Sequence, residues 1–521
     1  AGDKQVFLYW DNGAENSYDR FLRRKDFEGY MILRSQESKF TDVKTITDSK
    51  GQPKYWKPIA QFDVIDTIQG PDPIGINGAH FWRGDNSGLQ HSYVDKDVKN
   101  GVKYFYAVVS YDQGDPYYGK TGLQPTESPK IMIEDVSGKL KFVDINCAAV
   151  VPNAAAAGYV PPQIDGSLTR VSSGIGTGSI SIQIVNPNTI ATGAEYKVRF
   201  DSSGKFPEYS TKSLNVLRTI GSTVDTVMRN VSLADVAGDK SSLPFDGMTL
   251  SVKNDTKIVL DTMGWIVGKP SVFMFVVPDS SAPSLNKLWP SDYEIKFFAS
   301  TVDTSNGDLD PVVYPAIPVN FTITNTTFGY RSKFIIQDND GNGRFTSGDL
   351  IKPLEFTNNN ANLWLPWKIS YFYMDTLSLP KAGDKYIFKT KRPFFTGDYF
   401  SFKTKSSRTD LDLTKSQMSN ISVVPNPYVG YSSWEPKNTY ASGRGDRKID
   451  FINLPQQCTI RIYTVSGSLV KTLIKESGAT NGALSWNLIS EDGTDVAYGL
   501  YIYHVDAPTA GTYIGKFALI K

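Results

Sequence analysis

The stretch that decides the fold is CTIRIYTVSGSLVKTL, residues 458–473. Two runs rich in Ile, Tyr, Thr and Val flank a turn that contains Gly467, which is the pattern of a β-hairpin. Three further strand-like segments belong to the same part of the chain: VVPNPY at 423–428, FINLP at 451–455 and GLYIY at 499–503. The sequence therefore predicts a terminal unit built from short strands.

The order and spacing of these segments resemble the immunoglobulin-like C-terminal domain that many Bacteroidetes-type bacteria use as a type IX secretion signal. They are also similar to the immunoglobulin-like module of flagellar hook-capping proteins. The shared pattern is an opening Asn-Pro at 426–427, a strand ending in Pro455, an Ile-Tyr hairpin, a late Gly-x-Tyr strand and the basic residue Lys521. The resemblance covers residues 420–521. It implies a secreted protein at the cell surface whose last domain is a sorting signal or an anchor that engages the secretion machinery, or simply a terminal module.

The composition of the whole chain favours the same class of structure. The 521 residues are 40% hydrophobic and 12% aromatic, and 43 Gly and 29 Pro punctuate them, as in stacked short strands. We therefore expect an all-β protein with serial β-sandwich domains of the immunoglobulin or fibronectin type. Cys147 and Cys458 are too far apart in sequence to suggest a local disulfide and are interpreted as buried apolar residues.

Charge and hydropathy exclude some classes of partner. Lys and Arg total 55 against 54 Asp and Glu, so the net charge of +1 gives no reason to expect nucleic acid or a membrane surface. The apolar runs have the length of strands, so no membrane span is expected. The start at Ala1 has no basic segment followed by an apolar one, so either the protein stays in the cell or the chain is mature and processed. The sequence motifs favour the second interpretation.

The first part of the sequence shows a second strand pattern. Tyr104, Tyr106 and Val108 follow the turn at Asn100-Gly101 at a period of two, which places them on one face of a strand. Together with Trp10 and the segment EGYMILRS at 28–35, this resembles a fibronectin type III domain. The resemblance covers about residues 1–130, interrupted by an insertion at about 39–82, and implies a sandwich packed around a tryptophan and a tyrosine.

The central region, residues 131–419, carries repeated strand signals separated by Gly, Asn and Asp turns. Predicted strands include 180–185, 196–200, 249–252, 293–298 and 385–390. They predict a large β-sandwich region, either one sandwich or two smaller ones. A short helix is predicted around residues 231–237, with Ser232 as its N-cap.

The sharpest local motif is DNDGNGRFTSGD, residues 338–349. Oxygen ligands at alternate positions, a glycine at the bend and a terminal carboxylate are what a hard, seven-coordinate calcium ion requires. The motif resembles the loop of EF-hand and dockerin proteins. It departs from them because a strand-like segment precedes it and because its last residue is Asp instead of Glu. The predicted ligands are Asp338, Asp340, Asn342, the backbone carbonyl of Arg344, Thr346 and Asp349.

Calcium at this loop is expected to stiffen it, since nothing nearby suggests an activated water. The alternative is an acidic, Gly-rich surface turn that binds no metal. In an extracellular setting, millimolar calcium would fill even a weak site.

Most signatures of enzymes are missing from the sequence. Carboxylate pairs of the kind that hydrolyse glycosides stay open, but with 54 acidic residues chance pairing explains them better. The three histidines, His80, His91 and His504, are scattered, and there is no His-x-x-x-His, Cys-x-x-Cys, Gly-x-Ser-x-Gly or phosphate-binding glycine loop. The chain is predicted not to be an enzyme. Trp364 and Trp367 form either a glycan-binding platform or part of a sandwich core.

These features predict a non-catalytic, calcium-stabilised structural or adhesive surface protein, such as a subunit of a filament, sheath, surface layer or adhesin. Its expected partners are further copies of itself or other surface proteins, since an exposed sandwich edge accepts a neighbouring strand. Two alternatives stay open. The chain is either a set of accessory modules of a larger secreted hydrolase (a protease or glycosidase), or an array of carbohydrate-binding modules that holds glycans at Trp364 and Trp367.

Overall fold

The computed structural model describes residues 1–135, 139–171, 174–236, 241–309, 312–357, 362–374, 379–430 and 447–520. Strands dominate these residues and pair almost entirely antiparallel; β-structure is interrupted by one short α-helix and brief 3-10 turns. The prediction of an all-β protein is confirmed to that extent. Within the described ranges, no helix is long and apolar enough to cross a membrane.

The N-terminal unit consists of strands β1 to β12 and a 3-10 turn at Gly13–Asn16. The strands are β1 (Val6–Tyr9), β2 (Phe27–Ser35), β3 (Ile46–Thr47), β4 (Pro53–Tyr55), β5 (Ala60–Asp63), β6 (Pro71–Ile76), β7 (Ala79–Trp82), β8 (Ser92–Asp95), β9 (Tyr104–Asp112), β10 (Met132–Glu134), β11 (Leu140–Val143) and β12 (Cys147–Val150).

The main sheet of this unit has the order β12-β9-β2-β5, and two-stranded sheets surround it. Both faces of β9 are covered. Tyr104 and Tyr106 belong to one apolar cluster, with Val108 packed against it, while Phe105 belongs to a second cluster on the other face. The predicted period of two in β9 is therefore confirmed. The predicted boundary at residue 130 falls before β12, which pairs with β9 in this sheet.

The central strands are β13 (Tyr159–Val160), β14 (Gln163–Arg170), β15 (Ser179–Ile184), β16 (Glu195–Lys205), β17 (Glu208–Ile220), β18 (Thr223–Ser232), β19 (Met248–Lys253), β20 (Val259–Val267), β21 (Val272–Pro278), β22 (Tyr293–Phe297), β23 (Asp303–Thr304), β24 (Asp308–Leu309), β25 (Val312–Val313), β26 (Pro318–Val319), β27 (Phe321–Asn325), β28 (Tyr330–Arg331), β29 (Phe334–Gln337), β30 (Leu350–Pro353), β31 (Glu355–Thr357), β32 (Asn362–Trp364), β33 (Trp367–Tyr373), β34 (Lys385–Lys391), β35 (Tyr399–Lys405) and β36 (Arg408–Thr409).

These strands enclose two large apolar cores. The five-stranded sheet β14-β35-β16-β17-β18 and the pair β15-β19 cover a core that includes Tyr196 and Phe200. The sheets β20-β34-β22-β27-β28 and β21-β33-β30-β29 cover another core, which includes Tyr293, Phe388 and Trp367. Because β35 returns to pair with β14 and β16, the second sandwich is inserted into the first along the chain.

The predicted helix around residues 231–237 is wrong in extent. Strand β18 continues to Ser232, and only Leu233–Asp235 forms a 3-10 turn; Ala237 lies outside the described residues. The capping role of Ser232 is confirmed, because its side chain accepts a hydrogen bond from the Ala234 N–H at 3.2 Å.

The C-terminal unit begins with α1 (Leu411–Gln417) and a 3-10 turn at Met418–Asn420. Its strands are β37 (Ser422–Val424), β38 (Tyr428–Val429), β39 (Ile449–Ile452), β40 (Gln457–Thr464), β41 (Leu469–Glu476), β42 (Leu484–Trp486), β43 (Gly499–Ala507) and β44 (Gly511–Ile520).

The C-terminal strands form a three-stranded sheet, β37-β39-β42, and a five-stranded sheet, β38-β44-β43-β40-β41. The two sheets share a core that includes Phe451, Ile460, Trp486 and Phe517. The hairpin predicted at 458–473 is present, because β40 pairs with β41 and Gly467 takes a positive φ of 86° at the turn. Lys521, the basic last residue of the predicted pattern, lies outside the described residues.

Candidate metal centre

The candidate calcium loop, residues 338–349, is the turn of a β-hairpin. It joins β29 to β30, which pair antiparallel with Gln337 opposite Leu350. The two ends of the loop are thus held side by side by the sheet. A strand precedes the loop, as the sequence predicts, where an EF-hand has a helix.

Three carboxylates of the loop converge on one point. Ligand oxygens of Asp338, Asp340 and Asp349 all lie within 4.8 Å of one another. Calcium binds oxygen at about 2.3–2.6 Å, so oxygens at this mutual distance fit around one ion. In the ranges that the structure describes, no other group of three Asp, Glu, His or Cys side chains converges to this extent.

Backbone amides hold Asp338 in its ionised form. Its carboxylate accepts hydrogen bonds from the N–H groups of Gly341 and Gly343, each at 2.8 Å. The bond from Gly343 contributes most to lowering the pKa of Asp338 below its ordinary value. Gly341 and Gly343 both have a φ of 70°, a conformation that glycine adopts without strain.

Asp349 closes the loop from a buried position. It accepts hydrogen bonds from the N–H groups of Asn339 at 3.0 Å and Thr346 at 2.7 Å. These bonds tie the last carboxylate to both halves of the loop. Its orientation is therefore fixed by the fold, although an Asp is shorter than the Glu usual at this position of an EF-hand.

The predicted neutral ligands lie around Asp340. Asn342 donates to the Asp340 carboxylate at 2.6 Å, and the Thr346 hydroxyl donates to it at 3.1 Å. The Arg344 N–H donates to the Asn342 side-chain oxygen at 2.7 Å. The structure thus brings Asp338, Asp340, Asn342, Thr346 and Asp349 together, while the role of the Arg344 carbonyl stays a prediction.

The second half of the loop is anchored to the core of the inserted sandwich. The ring of Phe345 lies 4.4 Å from that of Tyr371 and 5.3 Å from that of Phe321. The Ser347 hydroxyl donates to the Tyr373 carbonyl at 2.9 Å and accepts from its N–H at 2.9 Å. Ser347 was not among the predicted site residues, and nothing in the sequence distinguishes it from other loop serines.

The donor set fits a hard divalent cation. It offers carboxylate, amide and hydroxyl oxygens without a His or Cys, which is the preference of calcium and not of zinc. The three carboxylates repel one another across less than 5 Å, and a divalent ion between them would offset that repulsion. The residues present therefore suit calcium, and the ion itself stays a prediction.

The two tryptophans predicted to bind glycans do not form one exposed platform. Trp367 is 0% exposed and belongs to the core of the inserted sandwich. Trp364 is half-buried; its indole N–H donates to the Thr357 hydroxyl at 3.1 Å, and the Lys287 ammonium lies 4.8 Å from its ring centre. Glycan binding at Trp364 remains a prediction, but Trp367 contributes packing.

The histidines lie in separate environments. The Nδ1 of His80 is 2.7 Å from the Asp72 carbonyl oxygen, and the Nε2 of His91 is 2.6 Å from the Glu15 carboxylate. His504 lies on β43, opposite Arg461 and Ile514. The structure does not bring any two of them to a common site.

Comparison with known proteins gives only distant similarities. The sequence matches no protein-family profile and no curated protein. Among solved structures, one match is PorZ, a bacterial surface component of the type-IX secretion system of Porphyromonas gingivalis. It has 12% identity and a TM-score of 0.17, over 81% of this chain and 70% of that chain.

Two other matches are weaker. Dimeric latent PorU from Porphyromonas gingivalis has 11% identity and a TM-score of 0.14, over 70% of this chain and 34% of PorU. The BSP domain of a biofilm-associated protein has 9% identity and a TM-score of 0.12, over 100% of this chain and 82% of that one. Similarities at these TM-scores do not establish a shared fold or role.

Proposed function

We propose that this chain is a non-catalytic structural or adhesive protein of a bacterial cell surface, and that calcium at residues 338–349 stabilises one of its sandwiches. The observation that carries the proposal is the convergence of Asp338, Asp340 and Asp349 at the turn of the β29–β30 hairpin. A surface protein with such a site gains rigidity where calcium is plentiful and loses it where calcium is scarce.

The calcium ion would link the loop to the sandwich core. It supplies the positive charge that lets three carboxylates share one point. Asp349 and Ser347 connect the ordered loop to β33. The Tyr371 N–H donates to the Asp349 carbonyl at 3.2 Å, and the Ser347 hydroxyl donates to the Tyr373 carbonyl. Loss of the ion would therefore loosen the end of the sheet β21-β33-β30-β29.

We assign the C-terminal unit, residues 420–521, to sorting or anchoring through the secretion machinery. The support is the order of its sequence segments, which resembles that of type IX sorting domains, together with the two-sheet arrangement of β37 to β44. In this proposal the protein is secreted and held at the cell surface.

Self-association through a sheet edge is the proposed mode of assembly. Side chains of the facing sheet cover the edge of β21: the Trp265 indole donates to the Val272 carbonyl at 3.3 Å, and the Tyr386 hydroxyl donates to the Met274 carbonyl at 2.8 Å. Strand β18 has a hydrogen-bonded neighbour on its β17 side only, within the described part of the chain, and most of its residues are exposed. Its open edge suits the addition of a strand from another copy.

Electron microscopy of the native protein from the cell surface, before and after calcium chelation, tests this function. Ordered polymers that loosen with chelator, and that re-form when calcium is restored, are the expected result. Dispersed monomers in both conditions would contradict the proposed assembly. Active hydrolysis of a surface polymer by the purified chain would contradict its non-catalytic role.

A further inference from the structure

The N-terminal unit contains a second acidic feature, far in sequence from the calcium loop. A pocket of about 300 Å³ opens where β2 begins and β9 ends. We call it the acidic pocket; the residues that matter here are Tyr18, Asp19, Asp26, Phe27, Tyr111 and Asp112. It combines carboxylates with aromatic rings at one opening in the protein surface.

Asp26 is the unusual member of this set. The residue lines the pocket although it is only 4% exposed, and its Oδ2 atom lies below the accessible surface. Its Oδ2 atom has no hydrogen-bond partner among the described residues. Carboxylates that are buried in this way normally have a cation or several donors as partners, since the loss of hydration is otherwise not offset.

The neighbouring carboxylates add negative charge, which the nearby Arg24 guanidinium offsets only in part. Asp112 accepts hydrogen bonds from the N–H groups of Gly114 at 3.0 Å and Thr126 at 2.9 Å, and Asp19 accepts one from the Leu22 N–H at 3.1 Å. In the part of the chain that the structure describes, neither these two carboxylates nor Asp26 has an ion-pair partner within 4.0 Å.

The electrostatic consequence is visible at Asp26. Burial raises its pKa above the ordinary value, and the carboxylates of Asp112 and Asp19 each raise it by more than the nearby Arg24 guanidinium lowers it. A cation that entered the pocket would relieve both effects at once. The pocket is thus complementary to positive charge.

The spacing of the carboxylates favours a guanidinium group over a metal ion. Only the three Asp side chains of the calcium loop converge within 4.8 Å in the described residues, so the acidic pocket does not offer a comparable metal cage. A guanidinium group is larger, planar and able to donate to several separate acceptors. The exposed ring of Tyr18 and the half-buried ring of Phe27 offer faces over which such a group stacks favourably, whereas Tyr111 is buried in the core.

We propose that the acidic pocket receives an arginine side chain from a basic segment of a partner protein. The volume of about 300 Å³ lies at the small end of ligand pockets, which suits one side chain better than a larger molecule. Asp26 forms the ion pair at the base of the pocket, Asp19 and Asp112 flank it, and Tyr18 covers the guanidinium from the rim. This contact is independent of calcium at residues 338–349.

Fluorescence anisotropy at low salt tests the pocket with the full chain. The probe is a labelled peptide of alternating glycine and arginine, and its control is the same peptide with citrulline, which keeps the shape and removes the charge. We expect Asp26→Asn to weaken binding of the arginine peptide roughly fivefold or more. Asp492→Asn removes one exposed carboxylate from the C-terminal unit and is expected to change the affinity by less than about twofold.

A second variant keeps the test independent of folding. Tyr18 is 57% exposed, so Tyr18→Ala leaves the core intact and is expected to weaken the arginine peptide as well. Equal binding of the citrulline peptide, or equal losses in Asp26→Asn and Asp492→Asn, would overturn the proposal. Loss of a bound calcium equivalent in Asp26→Asn would also overturn it, because the pocket would then be a metal site.

Discussion

The carboxylates of Asp338 and Asp349, at opposite ends of a hairpin loop, come within 4.8 Å of each other. The sheet produces this approach, because Gln337 and Leu350 are paired partners on β29 and β30. The residues next to them along the chain therefore begin and end the loop side by side. Calcium-binding loops of EF-hands use two helices to bring the same positions together, and here two paired strands do so.

The conformation of Gly341 gives the first prediction. Its φ is 70°, and no atom lies within 4 Å of the position that a Cβ would occupy, so only the backbone conformation opposes a side chain. We expect Gly341→Val to cost about 1–2 kcal/mol and to weaken calcium binding. Gly341→Asn is the matched control and is expected to cost less, because Asn tolerates this conformation. Urea unfolding with and without calcium measures the free energy of unfolding of both variants. Equal losses in Gly341→Val and Gly341→Asn would contradict a left-handed backbone conformation at this position.

Glu28 predicts a pH dependence of stability near neutrality. The residue is 0% exposed, and burial together with nearby Asp66 raises its pKa from 4.5 to about 7. Between these values the folded protein binds more protons than the unfolded chain, so stability falls as pH rises from 4.5 to about 7. The loss is on the order of 3 kcal/mol.

Glu28→Gln should remove this fall, because glutamine stays neutral in both states. Urea unfolding at several pH values checks it, with the exposed Glu476→Gln as the control that keeps the wild-type profile. A Glu28→Gln profile parallel to that of the wild type would contradict the burial of an ionisable group at this position.

Trp364 and Trp367 should behave differently when truncated. Trp367 is fully buried in the core of the inserted sandwich, so Trp367→Ala is expected to cost about 3–5 kcal/mol. Trp364 is half-buried, and Trp364→Ala should cost clearly less. Thermal unfolding of the two variants compares their losses of stability. Similar costs, or a glycan-binding loss in a folded Trp367→Ala variant, would show that Trp367 is not primarily a packing residue.

Most of the strands were predictable from local patterns, because alternation and turn residues act over a few positions. The predicted strands 180–185 and 249–252 correspond to β15 and β19, which pair with each other. The long hairpin of β17 and β18 was not predicted. Strand β18 is mostly polar and exposed, so its sequence, TVDTVMRNVS, carries little apolar signal.

The nesting of the two central sandwiches could not be predicted, because it depends on pairing between distant segments. Strand β35 pairs with both β14 and β16, and no local pattern reveals such a partner. Helix α1 had a signal that was missed: Asp410 is its N-cap and accepts a hydrogen bond from the Leu413 N–H at 3.0 Å.

The candidate calcium loop was the most predictable part of the candidate site, because its acidic residues come from one continuous segment. Asp338, Asp340 and Asp349 converge as their spacing predicts. Trp364 and Trp367 were less predictable. Their burial is set by strands β31 to β34, and their spacing in sequence does not show which indole faces the core.

A buried ion pair next to the loop gives a further prediction. Lys352 on β30 lies 3.1 Å from Asp279, and their side chains are 1% and 0% exposed. Lys352→Met should cost about 3–5 kcal/mol, because it leaves a buried carboxylate without its cation. The double variant Lys352→Met, Asp279→Leu should recover most of that loss. Urea unfolding of the wild type, the two single variants and the double variant gives the coupling free energy between Lys352 and Asp279. Losses of unfolding free energy that add up in the double variant would contradict the ion pair.

Calorimetric titration of calcium into the metal-free chain tests the central claim most directly. The account predicts saturable binding to the wild type, weakened roughly tenfold or more by Asp340→Asn, an exposed member of the triad. Asp492→Asn, which removes an exposed carboxylate elsewhere, should bind as the wild type does. Absence of binding at millimolar calcium, or equal binding by the wild type and Asp340→Asn, would contradict the assignment of residues 338–349 as a calcium site.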